Sequence, residues 1–109
     1  MDFEYEYVKN IPVVKFSRDD GFLIGEEISI FGSNVSELVK EGTGKIVLDL
    51  REYTYLNSFG LGELINIRNY FIDRNIQCIL IVNSSKIYKL FDMVGIGDLF
   101  ETVKHENEL

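Results

Sequence analysis

The sequence predicts a single α/β domain: a mixed, mostly parallel sheet with an antiparallel hairpin at its N-terminus and helices crossing over between the later strands. Three observations predict it. Residues 2–8 alternate strictly, with Phe3, Tyr5 and Tyr7 on one side and Asp2, Glu4 and Glu6 on the other, and alternation is the mark of a half-buried strand. Two apolar runs, KIVLDL from Lys45 and IQCILIV from Ile76, lack that alternation, as strands do when layers cover them. The segment after each run repeats its apolar residues at helical spacing. A chain of 109 residues suits one domain with one core, so residues 1–109 are taken together.

Each element follows in order. Lys9-Asn10 is a turn signal, and Ile11–Phe16 reads as a strand paired back on the first. Pro12 belongs at an edge or at a strand start, because it has no N–H for the ladder. Residues 17–21 (SRDDG) form a loop, and Phe22-Leu23-Ile24 returns to the apolar layer. A helix is expected over Ile30–Lys40, weakened by Gly32 and Asn34 and ended by Gly42 and Gly44. After the Lys45–Leu50 strand, Leu61, Leu64, Ile65, Ile67, Phe71 and Ile72 give a helical pattern. Arg68 shares their row, so its stem packs and its head reaches the rim. Asp73-Arg74-Asn75 closes that helix. Ile76–Val82 is the next strand. Asn83-Ser84-Ser85 offers a cap for a helix carrying Ile87, Leu90, Phe91 and Val94, with Gly95 as its stop. Phe91 and Met93 read as core. Asp98–Val103 gives a last short strand or turn, and the tail from about residue 104 (KHENEL) is expected to fray.

Composition excludes several classes. Eleven Lys and Arg stand against 18 Asp and Glu, for a net charge of −7. With no basic cluster, nucleic acid and anionic membrane are poor partners, since both need cationic patches. A basic or polar protein partner remains open. The acidic, alternating N-terminus is neither a signal nor a transit peptide, and no apolar run approaches a membrane span. Cys78, the single cysteine, lies in an apolar strand and reads as a buried small hydrophobe. A lone thiol supports no internal disulfide, which fits a cytoplasmic location.

The stretch Leu56–Glu63, LNSFGLGE, concentrates the candidate chemistry. Its serine could cap a helix, attack a substrate or be attacked. Attack is disfavoured: a nucleophile elbow needs glycine two positions before the serine, where Leu56 stands. The only histidine, His105, lies in the charged tail, leaving no obvious base. Gly60-Leu61-Gly62 resembles the start of a dinucleotide fingerprint. The third glycine is replaced by Ile65, and no Walker-type lysine follows, so the glycines read as close packing between strand and helix. Asp49 ends a parallel strand, as a phospho-acceptor aspartate would. Its magnesium-holding partners could only be Asp19-Asp20 or Glu26-Glu27, which read as solvated loop charge. One His and one Cys make no metal site, and no cofactor is expected.

VLDLREYTYLNSFGLGELI followed by LFDMVGIGDLF resembles the STAS domain of the anti-sigma factor antagonists. In that family a buried V-L-D-L strand leads to D-S-x-G-L-G at a helix start, and a later helix ends in L-F-x-x-x-G-[IL]. The match is firm from about Lys45 to Phe100 and looser over residues 1–44, where Gly25-Glu26-Glu27-Ile28 stands for the family's turn. The resemblance implies a STAS-like fold and a partner-switching regulator. Such a protein binds an anti-sigma factor of serine-kinase type and frees a sigma factor; the kinase phosphorylates the motif serine, and a serine phosphatase restores binding. By position the acceptor is Ser58, with Asn57, Ser58, Phe59, Gly60, Leu61 and Gly62 as the partner-binding stretch. The family's acid is Asn57 here, which keeps capping ability but not charge. Phe59 fills a position usually small, where it would narrow kinase access or anchor a partner.

On physical grounds Ser58 at a helix start is a natural N-cap, worth about 1 kcal/mol, and Glu63 in the first turn would suit the helix dipole. A phosphate adds roughly −1.5 to −2 charges, which a helix N-terminus accommodates, so it would act on a docked partner rather than on folding. Two other readings stand: a STAS interaction module within a larger complex that is never phosphorylated, and a small-molecule or nucleotide sensor using the helix start.

Overall fold

A computed structural model describes residues 3–16, 21–23, 42–95 and 97–109. The helix expected over Ile30–Lys40, the Gly25–Ile28 turn and the acidic pairs Asp19-Asp20 and Glu26-Glu27 lie outside the described residues. Strands β1 (Phe3–Val8) and β2 (Ile11–Phe16) form the predicted hairpin. Lys9 and Asn10 both take positive φ, at 53° and 65°, which is what a two-residue hairpin turn requires. That turn sets Val8 opposite Ile11 and Tyr5 opposite Val14. The strand β3 (Phe22–Leu23) follows, then β4 (Lys45–Asp49), β5 (Tyr55–Leu56), helix α1 (Ser58–Ile72), β6 (Gln77–Ile81), helix α2 (Ser85–Met93) and β7 (Glu101–Val103).

Among the described residues the main sheet has five strands in the order β1-β2-β4-β6-β7, antiparallel at the hairpin and parallel elsewhere. The pair β3–β5 makes a separate parallel ribbon. Both sheet faces are covered, which is why β4 and β6 read as unbroken apolar runs. On one face Ile46, Leu48, Leu50, Cys78, Leu80 and Val82 pack against Leu64, Ile67 and Phe71 of α1 and Ile87 and Phe91 of α2. Burying each large side chain there contributes about 1.5–3 kcal/mol. The same burial pushes the Cys78 thiol up to about 12, so it stays protonated and packs as a hydrophobe.

The opposite face carries Val13, Val47, Ile79 and Ile81, with Val103 and Leu109 packed against them. Residues 104–109, expected to fray, instead form a 3-10 turn over Glu106–Glu108, in which His105 Nδ1 accepts from Asn107 N–H and the Glu108 carboxylate accepts from His105 N–H. Glu106 also bonds to Arg51, whose guanidinium grips the buried Asp49 at 3.0 and 2.7 Å. The bonds to Asp49 first, and those to Glu106 after, hold the Arg51 proton more tightly than in free arginine. Asp49 is thus a structural anchor, and it is the one buried charged side chain among the described residues.

Four expectations about burial need correction. The Tyr5–Tyr7 row of β1 is exposed, at 54% and 46%, because β1 is the sheet's outer strand and the described helices lie over β5 and β6. Ile72 falls off the buried row of α1, which runs Gly60, Leu64, Ile67, Phe71. Met93 is 81% exposed while Phe91 is buried; residues two apart on a helix point to nearly opposite sides. Val94 is exposed as well, since α2 has ended before it. Arg68 is half-buried, and its Nε donates to the Leu99 carbonyl at 2.9 Å.

Candidate functional site

The approach to Ser58 is fixed by three contacts. The ribbon aligns Phe22 with Tyr55 and Leu23 with Leu56, and Leu56 is buried. Thr54 N–H donates to the Gly21 carbonyl at 2.9 Å, where Gly21 has φ +72°, a conformation suited to glycine. From the other side Ser84 Oγ donates to the Thr54 carbonyl at 3.3 Å. The chain therefore leaves the ribbon on a braced path and turns into α1 at residue 57.

The cap of α1 is Asn57, not Ser58. Asn57 is extended (φ −95°, ψ 178°), and its side-chain oxygen accepts from Gly60 N–H at 2.7 Å. Its carbonyl accepts the first helical bond, from Leu61 N–H at 2.9 Å. Asparagine ranks with aspartate and serine as a cap, so sequence could not choose between neighbours; the end of the ribbon does. Ser58 becomes the first helical residue. It is exposed, and among the described residues its hydroxyl makes no hydrogen bond. Glu63 falls in the second turn, and no acid occupies the first, so the backbone's positive end is uncompensated there.

The six residues singled out in sequence are not equivalent. Asn57, Ser58 and Phe59 lie at the surface, Phe59 at 69% exposure. Gly60 is buried at the head of the row facing the core. Leu61 and Gly62 are half-buried, and a Cβ on Gly62 would meet nothing within 4 Å. Close packing therefore does not explain Gly62; it leaves low relief on the outer side of the first turn. Beside this surface the Phe22 and Tyr55 rings meet edge to face at 5.6 Å, both exposed. Sequence reading missed this pair, as it missed the Asp49–Arg51–Glu106 network. The only signal for the latter was a charged Asp-x-Arg at the end of an otherwise apolar strand.

Chemically, the surface offers an unengaged hydroxyl, a flat glycine shoulder and exposed rings around a helix N-terminus. Among the described residues no group of three or more His, Cys, Asp or Glu is placed to hold a metal, and no helix is long and apolar enough to cross a membrane.

Known proteins match this arrangement. The family model of the STAS domain covers residues 7–109. Curated relatives from Listeria monocytogenes serovar 1/2a and Listeria innocua serovar 6a, each called anti-sigma-B factor antagonist, are 30% identical over 92% of this chain and 95% of their own length. Among solved structures, the anti-sigma factor antagonist SpoIIAA in its unphosphorylated form superposes with a TM-score of 0.70 over 97% of this chain and 90% of that one. The Bacillus cell fate determinant SpoIIAA in its phosphorylated form gives 0.65, over 97% and 94%. Both are 18% identical to this chain, so they speak to the fold alone. With its motif at a braced helix start and its sheet order in place, the chain belongs to the STAS domain family.

Proposed function

We propose that this chain is an anti-sigma factor antagonist of the cytoplasm, a regulatory binding protein rather than an enzyme. Its Asn57–Gly62 surface docks an anti-sigma factor of serine-kinase type, and phosphorylation of Ser58 ends the contact. The observation that carries this reading is the division of labour between Asn57 and Ser58. The amide takes the cap, and the hydroxyl beside it is exposed and makes no hydrogen bond among the described residues. The 30% identity to relatives called anti-sigma-B factor antagonists supports it.

The physics of the switch is local. A phosphoserine adds roughly −1.5 to −2 charges at the positive end of a 15-residue helix, where an anion is well tolerated. The domain stays folded, and the new charge repels or displaces a partner lying over Gly62 and Phe59. A serine phosphatase then restores docking. The experiment is the intact mass of the protein recovered from its native cells, with and without phosphatase, followed by mapping and by pull-down of partners. Phosphate on Ser58 and a kinase-type anti-sigma factor in the pull-down are the expected results. A single unmodified mass across growth and stress conditions would overturn the switch. Asn57 favours that second reading, a binding module that never switches, because it lacks the charge of the family's acid. A nucleotide sensor at the helix start would reveal itself by a thermal shift with nucleotide, as any ligand of the folded state does.

A further inference from the structure

The tail lies on the side of the sheet away from the helices, and it is built as a separate piece. Residues 104–109 bond mainly to one another. Lys104 N–H and His105 N–H donate to the Glu108 carboxylate at 2.9 and 3.0 Å, Asn107 N–H to His105 Nδ1 at 3.1 Å, and Leu109 N–H to the Glu106 carbonyl at 3.2 Å. Of the six, Lys104, His105, Asn107 and Glu108 are exposed, while Glu106 and Leu109 are half-buried. Those two are the anchors. Leu109 packs against Val13, Val47, Ile79 and Ile81, and its main-chain oxygen accepts from Lys9 Nζ at 3.3 Å. Glu106 accepts from Arg51 Nη2 at 2.6 Å. Between α2 and the tail runs a groove of about 390 Å³ lined by Tyr88, Thr102, Val103, Lys104 and Glu108, so the turn is loosely packed on that flank.

A piece held at two points opens at low cost, because segments with few tertiary contacts open locally before the domain unfolds. Val103 stays behind when it does: its carbonyl accepts from Val82 N–H at 3.0 Å, which keeps β7 in the sheet. What gives the tail a consequence is where Glu106 lands. The Nη2 that donates to Glu106 also donates to Asp49 Oδ2 at 2.7 Å, Arg51 Nε donates to Asp49 Oδ1 at 3.0 Å, and Arg51 N–H donates to the same Oδ1 at 3.1 Å. That last bond is the first tie of the loop that runs from β4 through Tyr53 and Thr54 to Asn57. With Glu106 present, the guanidinium is clamped between two carboxylates by charge-assisted bonds. Without it the arginine side chain regains rotamer freedom, and its grip on Asp49 and on the start of the loop loosens.

We propose that residues 104–109 are a strap that positions the docking surface. Glu106 is the positioning residue: acting through Arg51, it holds the loop between β4 and α1 in the conformation that presents Asn57 and Ser58, and lifting the strap lowers affinity for the partner. The effect on affinity rests on the function proposed above; the coupling of strap to loop does not. Coupling between two sites is reciprocal, so a partner docked at Ser58 tightens the strap.

The test is the amide proton–nitrogen NMR spectrum of the full chain for the parent, Glu106→Ala and Leu109→Ala, which release the strap at its two anchors. Glu101→Ala is the control, since Glu101 is exposed, bonds to Gln77 and carries the same charge. The two strap variants are expected to move the Thr54, Asn57 and Gly60 amide resonances along one common line, as a shared two-state population shift requires, and Glu101→Ala to leave them in place. Glu106→Ala should also weaken binding of the anti-sigma factor recovered by pull-down about three- to fivefold, the scale of one half-exposed ion pair. Shifts confined to Arg51 and the tail, shifts in unrelated directions, or equal shifts from Glu101→Ala would overturn the coupling. Moved resonances with unchanged affinity would overturn the strap's part in binding. A parent protein that binds no anti-sigma factor would overturn the proposed function, while the resonances still decide the coupling.

Discussion

The two described helices begin with nearly the same residues and use them differently. Before α1 the chain reads Leu56-Asn57-Ser58, and before α2 it reads Asn83-Ser84-Ser85. At α2 the serine is the cap: Ser84 Oγ accepts from Ile87 N–H at 3.4 Å while donating to the Thr54 carbonyl at 3.3 Å. At α1 the asparagine is the cap, at 2.7 Å, and the serine after it is left to the surface. A serine at a helix start is thus structural in one place and spare in the other. What separates them is one residue of register, set by the strand or ribbon that delivers the chain.

The largest effect expected from that difference is on binding. On the proposed function, Ser58→Asp should cost partner affinity several kcal/mol, on the order of a hundredfold or more, through a charge set against the docked partner. Its melting temperature should stay within a few degrees of the parent. Calorimetry of binding beside thermal melts checks both, and a large loss of stability would instead make Ser58 structural. Phe59→Ala comes next, with a loss of about 2 kcal/mol in partner affinity if the ring is an anchor, read by the same titration. Unchanged affinity would remove the ring from the interface.

Smaller effects concern the caps themselves. Asn57→Ala and Ser84→Ala should each cost about 1 kcal/mol of folding stability, measured by urea unfolding. Ser84 should be the costlier, since its bond to Thr54 is lost as well. Smallest of all, Ser58→Ala should change stability by less than about 0.5 kcal/mol. A loss from Ser58→Ala equal to that from Asn57→Ala would erase the contrast between the two helix starts.

The parts of the fold that were legible in sequence are those whose pattern repeats. The hairpin showed in alternation and Lys9-Asn10, β4 and β6 in their apolar runs, and α2 in Ser84, Ile87 and Phe91. Burial failed to follow pattern where an element overhangs its neighbours. Tyr5 and Tyr7 alternate like core residues yet lie on the outer strand, and Met93 falls on the side of α2 away from buried Phe91. The site was legible as a stretch and not as roles. Asn57 and Ser58 are both good caps, Gly60 and Gly62 are the same residue type, and only one of that pair is buried.

The sequence by itself determined the order of the β1–β2 hairpin, β4, α1, β6 and α2, the apolar faces of β4, β6 and α1, and the presence of a small hydroxyl beside two glycines at a helix start. These follow from local preference and periodicity, which a chain carries wherever it folds. Tertiary structure alone decided which of two adjacent residues caps α1 and how the last six residues fold back so that Glu106 meets Arg51 across 55 positions. Those outcomes depend on contacts between segments distant in sequence, and no local pattern encodes the distance between them.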